Sequence, residues 1–285
     1  MIHLFGHNID LILIIALVLI LGGVVYGLML FVLSRFEPKP QKHPFPLDLM
    51  TPPQERDVVF VIPCLNEAEV IGASLDRLTA LDHDHVHILV IDDGSDDETA
   101  QIVLQNPDPR VRLLRRTLPN ARQGKGEALN AGVQYIRDGA LGPDFDPASA
   151  IVVVVDADGR LEQHVLDVVL PNFNDPQLGG VQIGVRINNR DVNLLARMQD
   201  IEFVLYTRVF QRGRRHLGSV GLGGNGQFVR FSALNSLGVK PWTDSLAEDL
   251  DLGIRLMLAG WNTEFCSETS VHQQGLVDVK RWVKQ

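Results

Sequence analysis

The chain has 285 residues, of which 45% are hydrophobic and 21% are charged, enough for one large domain or two small ones. Its net charge of −9 argues against a nucleic-acid partner held by a broad basic surface. The two cysteines, Cys64 and Cys266, lie far apart and match neither a metal-ligand spacing nor a disulfide framework. This pattern of cysteines indicates that the protein is in a reducing compartment.

An uncharged apolar run, Leu11 to Leu33, begins the chain between Asp10 and Arg35. As a helix its 23 residues would span roughly 34 Å, enough to cross a hydrocarbon core of about 30 Å. A cleaved signal peptide would need a basic start, a shorter apolar core and a small-residue cleavage site, and the run has none of these. A buried helix of a soluble protein is the remaining alternative to a single transmembrane helix.

The flanking charges predict the orientation of this helix. Residues 1–10 contain no Lys or Arg, whereas Arg35, Lys39 and Lys42 follow the run. The positive-inside rule therefore places everything after it in the cytoplasm, on the inner face of the cell membrane. Residues 1–36 form the anchoring segment in this interpretation.

A proline-rich stretch follows at residues 37–56 and shows little periodicity, which predicts a semi-extended linker. Its prolines are Pro38, Pro40, Pro44, Pro46, Pro52 and Pro53. Residues 57–285 would then form the globular domain.

From Asp57 the pattern alternates between strands and helices, which predicts a parallel nucleotide-binding α/β sheet. Apolar, β-branched runs predict strands at Val58–Ile62, Val86–Ile91, Val111–Leu114 and Ile151–Val155. Helical spacing predicts helices at Val70–Leu78, Asp97–Leu104, Glu127–Ile136 and around Val165–Val169.

The second half of the domain changes character. Val181 to Ile187 alternates apolar and polar residues and predicts a strand. An apolar stripe at helical spacing follows, and we expect it to pack into the core; it comprises Leu194, Met198, Ile201 and Leu205. The basic cluster after it is either solvated or in contact with lipid or phosphate; it comprises Arg212, Arg214 and Arg215.

The strand at Ile151–Val155 ends in Asp156-Ala157-Asp158. Open α/β sheets bind ligands at the carboxyl ends of their strands. Two carboxylates one residue apart can hold a divalent cation and leave positions open for phosphate oxygens. The alternative is a simple turn that caps the next helix.

Two further segments suit a nucleotide. Asp92-Asp93-Gly94-Ser95 also ends a strand, and a carboxylate there could accept a hydrogen bond from a base or a ribose hydroxyl. Arg122 to Asn130 is a glycine-containing basic loop that opens a helix, so the helix N-terminus and Lys125 together suit a diphosphate. An Asx turn and an ordinary helix start are the structural alternatives.

Ser245-Leu246-Ala247-Glu248 fits a capping box, which predicts that Ser245 caps a helix and that Glu248 returns to its backbone N–H. The capping box would explain why Glu248 is present, but it gives no structural explanation for Asp249. Beside a bound nucleotide, Asp249 would be an acceptor for the proton of a sugar hydroxyl.

Five of these motifs occur in the order seen in family 2 glycosyltransferases. The chain resembles the membrane-bound branch that includes cellulose, chitin, hyaluronan and poly-N-acetylglucosamine synthases, over about residues 57–285. The motifs are Pro63-Cys64-Leu65-Asn66-Glu67, Asp92 to Asp96, Lys125 to Asn130, Asp156-Ala157-Asp158 and Glu248-Asp249.

The resemblance implies a GT-A fold, a mixed and mostly parallel sheet with flanking helices, and a nucleotide-diphosphate sugar donor linked to UDP or GDP. It implies an inverting, metal-dependent glycosyltransferase of polysaccharide synthesis, with a glycan or a lipid as acceptor. The donor would contact Pro63, Glu67, Asp92, Asp93, Lys125 and Asp156. Mg²⁺ or Mn²⁺ would bind Asp156 and Asp158, and Asp249 would be the general base.

The resemblance also places Gly224, Asn225 and Glu248 on the acceptor side, because Gly223 to Phe228 is similar to the family's segment there. A plain strand whose glycines allow close backbone approach is the alternative for that segment.

The sequence departs from the family pattern in two places. The acidic triplet commonly begins with Thr, and Ala247 stands there. Polymer-making members carry Gln-x-x-Arg-Trp and further membrane helices after this domain, but Asp278 precedes Arg281-Trp282 where Gln would be. We therefore expect Gln285 to begin that motif and the chain to be a fragment.

Two other functions fit parts of the pattern. A phosphohydrolase could use Asp156 as nucleophile, but such enzymes usually carry Thr or Val where Arg160 stands. A membrane subunit with an incomplete glycosyltransferase fold could bind the donor without turnover.

Overall fold

The computed structural model describes residues 2–4, 7–9, 11–38 and 52–283. Most of the predicted linker, with Lys39 and Lys42, lies outside the described residues, as does Gln285.

The described chain contains the predicted alternation of strands and helices. The strands are β1 Ile2–Leu4, β2 His7–Ile9, β3 Val58–Cys64, β4 Val86–Asp92, β5 Val111–Arg115, β6 Ile151–Val154, β7 Arg160–Leu161, β8 Leu178–Ile187, β9 Gln227–Arg230 and β10 Asn262–Gln273. The helices are α1 Leu11–Leu33, α2 Ile71–Thr79, α3 Thr99–Leu104, α4 Lys125–Arg137, α5 Val165–Val169, α6 Leu194–Leu205, α7 Arg212–Arg215, α8 Phe231–Ser236, α9 Glu248–Leu258 and α10 Val279–Trp282.

One mixed sheet carries the domain, with strand order β5-β4-β3-β6-β9-β8-β10-β7. The first four strands are parallel, β9 is antiparallel to both β6 and β8, and β10 returns parallel to β8. The mixed, mostly parallel sheet predicted from the sequence is therefore confirmed. The short hairpin of β1 and β2 precedes α1 and stands apart from this sheet.

Helices cover both faces of the sheet because its central strands are apolar on both faces. Along β3, Phe60 and Ile62 join the core on one face, and Val59 and Val61 join the core on the other. The first core includes residues of α2, α3 and α5, and the second includes residues of α4, α8 and α9. This alternation follows from the two-residue period of a strand.

The strand predicted at Val181–Ile187 is longer and more buried than its alternating pattern suggests. It begins at Leu178, and nine of its ten residues are buried. Strand β8 is hydrogen-bonded to β9 along one edge and to β10 along the other. The sequence did not predict the long strand β10, because most of its residues are polar.

The expectation that the stripe on α6 packs into the core is wrong. Its four apolar side chains are between 51% and 72% exposed; they are Leu194, Met198, Ile201 and Leu205. The buried residues of α6 are Ala196 and Asp200. We call these four exposed residues the α6 stripe.

Asp200 is buried because it fastens α6 to β8. Its Oδ1 accepts hydrogen bonds from Arg186 Nε at 2.9 Å and from the backbone N–H of Ile187 at 2.9 Å, and its Oδ2 accepts from Arg186 Nη2 at 3.0 Å. Burial acts to raise the pKa of Asp200, but the hydrogen bonds from Arg186 and Ile187 outweigh it, so the pKa is lowered.

We expect Asp200→Asn to lower the free energy of unfolding by about 2 kcal/mol at neutral pH, because hydrogen bonds to a charged group are lost. That corresponds to roughly 4 to 8 °C in Tm. The contribution of a carboxyl with a lowered pKa is present above its ordinary pKa of about 3.9 and disappears as the pH falls through the lowered value. Thermal melts from neutral to acid pH check both parts, with exposed Asp191→Asn as control; a difference that persists at acid pH would contradict the ion pair.

The C-terminal end of α1 docks on α7. Leu30 is buried, and a methyl group added to Gly213 would lie 2.6 Å from the Leu30 carbonyl oxygen, so only glycine permits this contact. Arg214 Nε donates to the Tyr26 hydroxyl at 3.3 Å. The rest of α1 is apolar and almost entirely exposed, and it is long enough to cross a membrane.

The basic cluster after α6 is not simply solvated. Arg212 and Arg215 both pair with Glu37, which follows α1, and Arg215 also pairs with Glu264 at 2.5 Å. The cluster therefore holds the end of α1 against the domain.

Candidate active site

Two cavities, each of about 390 Å³, meet at the carboxyl ends of the parallel strands. The first, which we call the cleft, is lined by Pro63, Cys64, Leu65, Glu67, Asp93, Arg122, Gly124, Lys125, Ala128 and Asp156. The second, which we call the pocket, is lined by Asp156, Gln182, Val185, Phe203, Tyr206, Thr207, Gln211, Leu222, Gly223, Gly224, Asn225, Asp249, Leu250 and Gln273. Asp156 lines both cavities and marks the place where they meet.

The loops after β3 and β4 form the outer wall of the cleft and are tied together. The backbone N–H of Asn66 donates to Ser95 Oγ at 3.0 Å, and Asn66 Oδ1 accepts from the N–H of Asp96 at 3.0 Å. Gly94 has φ of +84°, and a methyl group there would lie 2.9 Å from the Ala121 side chain. Glycine is therefore required for this loop to close against the next one.

The two carboxylates at the end of β4 have different surroundings. Asp92 is fully buried, accepts from the N–H of Ser95 at 2.8 Å and does not line the cleft. Asp93 lines the cleft and accepts from the Arg116 guanidinium and from the N–H of Arg122 at 3.0 Å. Burial raises the pKa of Asp93, and Arg116 opposes that shift. Of the two carboxylates, Asp93 is the one that lines the cleft.

Glu67 lies beside the acidic pair at the end of β6. Burial raises its pKa, and so do the negative charges of Asp158 and Asp156. Glu67 and Asp156 line the cleft, and Asp158 is close enough to act on Glu67, so a bound cation would relieve the repulsion among the three carboxylates.

Lys125 is the first residue of α4, after Gly124 with φ of +104°. Its ammonium donates to Asp156 Oδ1 at 2.5 Å and to the Gly224 carbonyl at 2.7 Å. The N-terminus of this 13-residue helix faces the cleft, because Gly124, Lys125 and Ala128 all line it. The helix end and the ammonium together make this side of the cleft positive.

Asp156 and Asp158 are held by neighbouring backbone and side chains. Asn225 Oδ1 accepts from the N–H of Asp156 at 3.2 Å, and Asp158 Oδ2 accepts from the N–H of Gln274 at 3.0 Å. Within the described ranges no group of three or more His, Cys, Asp and Glu side chains could hold a metal ion. Two carboxylates are nevertheless the donor set that suits Mg²⁺ or Mn²⁺ when phosphates and water complete the coordination. The residues fit such a cation.

A loop of glycines forms the floor of the pocket, and two buried glutamines hold it. Gln182 accepts from the N–H of Gly223 at 2.7 Å and donates to the Asn225 carbonyl at 3.0 Å. Gln211 donates to the Gly221 carbonyl at 2.7 Å and accepts from its N–H at 3.1 Å. Sequence reasoning missed both glutamines, because nothing local marks a polar residue that binds a distant backbone.

The segment from Gly223 is a loop rather than a strand, since β9 begins only at Gln227. A methyl group on Gly224 would lie 3.2 Å from Lys125 Nζ and 3.3 Å from Asp249 Oδ2. Gly224 therefore sits between the ammonium and the Asp249 carboxylate at the junction of the two cavities.

The capping box predicted at Ser245–Glu248 is absent from the structure. Helix α9 begins at Glu248, its N-cap is Ala247 without a side-chain hydrogen bond, and Ser245 Oγ instead accepts from the N–H of Ala247 at 3.3 Å. The preceding turn is held by Thr243, which donates to Asp251 Oδ2 at 2.8 Å. That contact fixes the start of α9 without Ser245.

Glu248 and Asp249 consequently differ in position. Asp249 lines the pocket. Glu248 lies against α4, where its Cβ would be 3.7 Å from a methyl group on Gly126. Burial raises the pKa of Glu248, and the Asp249 carboxylate adds to the shift while Lys125 opposes it.

The mixed sheet with helices on both faces is a GT-A fold. The structure is similar to a mannosyltransferase from Pyrobaculum calidifontis in complex with GDP-Man and Mn²⁺ (TM-score 0.62, 19% identity, 91% of this chain and 66% of that chain). It is also similar to Staphylococcus aureus TarS in complex with UDP-GlcNAc (TM-score 0.55, 18% identity, 78% of this chain and 59% of that chain).

The family model "Glycosyltransferase like family 2" matches residues 53–285, and the chain belongs to that family. This confirms the resemblance read from the five motifs and excludes the phosphohydrolase.

Curated relatives support the same assignment. A β-monoglucosyldiacylglycerol synthase of Synechocystis sp. is 32% identical over 225 residues, which cover 77% of this chain and 44% of that protein. A poly-β-1,6-N-acetyl-D-glucosamine synthase of Staphylococcus aureus is 28% identical over 210 residues, covering 73% and 47%. The chain thus spans a little under half the length of these curated relatives.

Proposed function

We propose that this protein transfers a sugar, with inversion, from a nucleotide-diphosphate sugar in the cleft to an acceptor hydroxyl in the pocket. The observation that carries the proposal is the contact of Lys125 with both Asp156 and Gly224, which joins the two cavities at one point. In this proposal α1 anchors the domain to the inner face of the cell membrane.

Each end of the cleft fits one part of the donor. Pro63, Glu67 and Asp93 line the part that would hold the base and ribose, and Lys125 and Asp156 line the part that would hold the diphosphate and sugar. Asp92 has an indirect role here, because it shapes the turn without facing the cleft. GDP-Man and UDP-GlcNAc in the structural neighbours support a UDP- or GDP-linked donor.

Asp156 and Asp158 would hold Mg²⁺ or Mn²⁺, as the Mn²⁺ in the mannosyltransferase neighbour supports. When bound, the cation neutralises charge on the diphosphate. The ammonium of Lys125 and the N-terminus of α4 stabilise the charge that develops on the leaving nucleoside diphosphate.

Asp249 acts as the general base; its carboxylate lies on the other side of Gly224 from the Lys125 ammonium. As the acceptor oxygen attacks the anomeric carbon, its proton passes to the Asp249 carboxylate and the new C–O bond forms on the face opposite the diphosphate. The anomeric bond to the diphosphate breaks, and its electron pair leaves with the nucleotide. One carboxylate and one displacement suffice, which is why we propose inversion without a covalent intermediate.

Glu248, Gly224 and Asn225 belong to the acceptor side in this proposal. Gly224 and Asn225 line the pocket, and Asn225 also positions Asp156, whereas Glu248 supports the N-terminus of α4 from behind. The names of the curated relatives include a glycolipid product and a polysaccharide product, so the acceptor hydroxyl belongs to a lipid or a glycan.

Calorimetry of UDP and GDP binding tests the donor site. We expect binding at least tenfold tighter with Mn²⁺ or Mg²⁺ than with a chelator, because a cation held by Asp156 and Asp158 would offset the negative charge of the diphosphate. Asp158→Asn should remove that difference, while Asp144→Asn, exposed and distant from the cleft, should keep it. Equal affinity with and without metal would exclude the role assigned to Asp156 and Asp158.

A further inference from the structure

The pocket has a polar interior and an apolar mouth. Gln182, Gln211 and Asn225 are buried in its interior, close to Asp156 and Asp249. Tyr206 and Leu250, which also line the pocket, are 42% and 41% exposed and therefore lie at its mouth. An acceptor would have its hydroxyl inside and an apolar body at the opening.

One side of the mouth, at Tyr206, belongs to a continuous helical segment that runs from the α6 stripe to α7, which contacts α1. After α6, residues Tyr206–Gln211 form a π-helical turn that leads directly into α7. Tyr206 stacks on Phe210, which is itself 36% exposed. Such π-turns occur frequently at functional sites, and this one supplies Tyr206, Thr207 and Gln211 to the pocket.

The depth of this segment follows from its contact with α1. Leu30 and Tyr26, which meet α7, lie within the apolar run and close to its C-terminal end. Helix α7 is therefore level with the membrane boundary. Tyr206 precedes Gly213 by seven residues, or about 10 Å along the helix, so the mouth of the pocket lies within about that distance of the boundary.

The composition of the segment matches a bilayer surface. Residues 190–216 contain six arginines and three acidic residues in a chain whose net charge is −9. A helix that combines basic residues with an exposed apolar face lies in the plane of a membrane interface. The α6 stripe has the four-three-four spacing of such a face.

We propose, on the basis of the function above, that the α6 stripe rests on the lipid bilayer and that the acceptor is a membrane lipid with a free hydroxyl in its head group. The lipid enters the pocket from the bilayer past Tyr206 and Leu250 and presents its hydroxyl to Asp249. The sugar forms its new bond to that oxygen, and the nucleoside diphosphate leaves into the cytoplasm.

Vesicles test the acceptor. The protein is reconstituted in phosphatidylcholine vesicles, whose head group has no hydroxyl, with dioleoylglycerol or with trioleoylglycerol, which also has no free hydroxyl. It is supplied with labelled UDP-glucose, UDP-N-acetylglucosamine or GDP-mannose and Mn²⁺. We expect label in the organic extract with dioleoylglycerol only. Label in a glycan with none in the organic extract would overturn the lipid acceptor and leave the proposed function standing. Absence of nucleotide binding would overturn the proposed function itself.

A pair of variants tests the surface. Ile201→Glu with Leu205→Glu changes only exposed side chains, so nucleotide binding should persist while lipid glycosylation falls at least tenfold. Leu104→Glu is the matched control, because Leu104 is 70% exposed on α3 at the opposite edge of the sheet. Full lipid glycosylation by the double variant would show that the α6 stripe does not rest on lipid.

Discussion

Asp249→Asn should bind the nucleotide sugar normally and lose transfer by about 10²- to 10⁴-fold, the range expected when a general base is removed. Asparagine has nearly the same shape, and its Oδ1 can still accept from the N–H of Leu250, which is 2.7 Å from Asp249 Oδ1. The cleft does not include Asp249, so donor affinity has no reason to change. Calorimetry with a nucleoside diphosphate and a single-turnover transfer assay separate the two effects.

Glu248→Gln is the informative comparison. Burial raises the pKa of Glu248, but its side chain lies against α4 and does not line the pocket. We therefore expect Glu248→Gln to lower the transfer rate less than Asp249→Asn does. The reverse order would move the general base to Glu248, and normal transfer by Asp249→Asn would remove Asp249 from that role.

The parallel half of the sheet could be predicted because its strands are β-branched runs buried on both faces, and few structures besides a covered parallel sheet produce such runs. The site residues at strand ends followed from the same pattern, since charged residues that terminate such strands collect at one edge. Asp93 and Asp156 were predicted in this way, and Lys125 was predicted from the glycine-containing basic loop that opens α4. The polar strand β10 gave no such signal.

Other features depend on partners that a local pattern does not reveal. An apolar helical stripe has the same spacing whether it faces a core or a bilayer, which is why the prediction for α6 was wrong. The capping box at Ser245 failed because Thr243 reaches Asp251 and starts the helix later. Gln182 and Gln211 act on a loop distant in sequence, so only the fold shows their function.

Lys125→Met should lower kcat by about 10²- to 10³-fold, the loss typical when one charge-stabilising donor is removed. The ammonium bridges Asp156 and the Gly224 carbonyl, so its removal frees both groups, while Gln182 and Gln211 still hold the loop. Metal-dependent nucleotide binding should persist, because the carboxylates that hold the cation remain. The defect should therefore be larger in transfer than in nucleotide affinity, which falls only by the loss of one charge beside the diphosphate.

Lys240→Met is the matched control for Lys125→Met. The side chain of Lys240 is 64% exposed and pairs with Glu127 on α4. Glu127 is two residues from Lys125 along the chain. The loss of Lys240 removes one positive charge near the same helix without touching either cavity that we assign to donor and acceptor. If both variants lose transfer activity equally, any positive charge near α4 supports transfer, and the specific bridge from Lys125 to Asp156 and Gly224 is not needed. If only Lys125→Met is impaired, the charge is needed at the point where the cleft meets the pocket, as the proposed transfer requires.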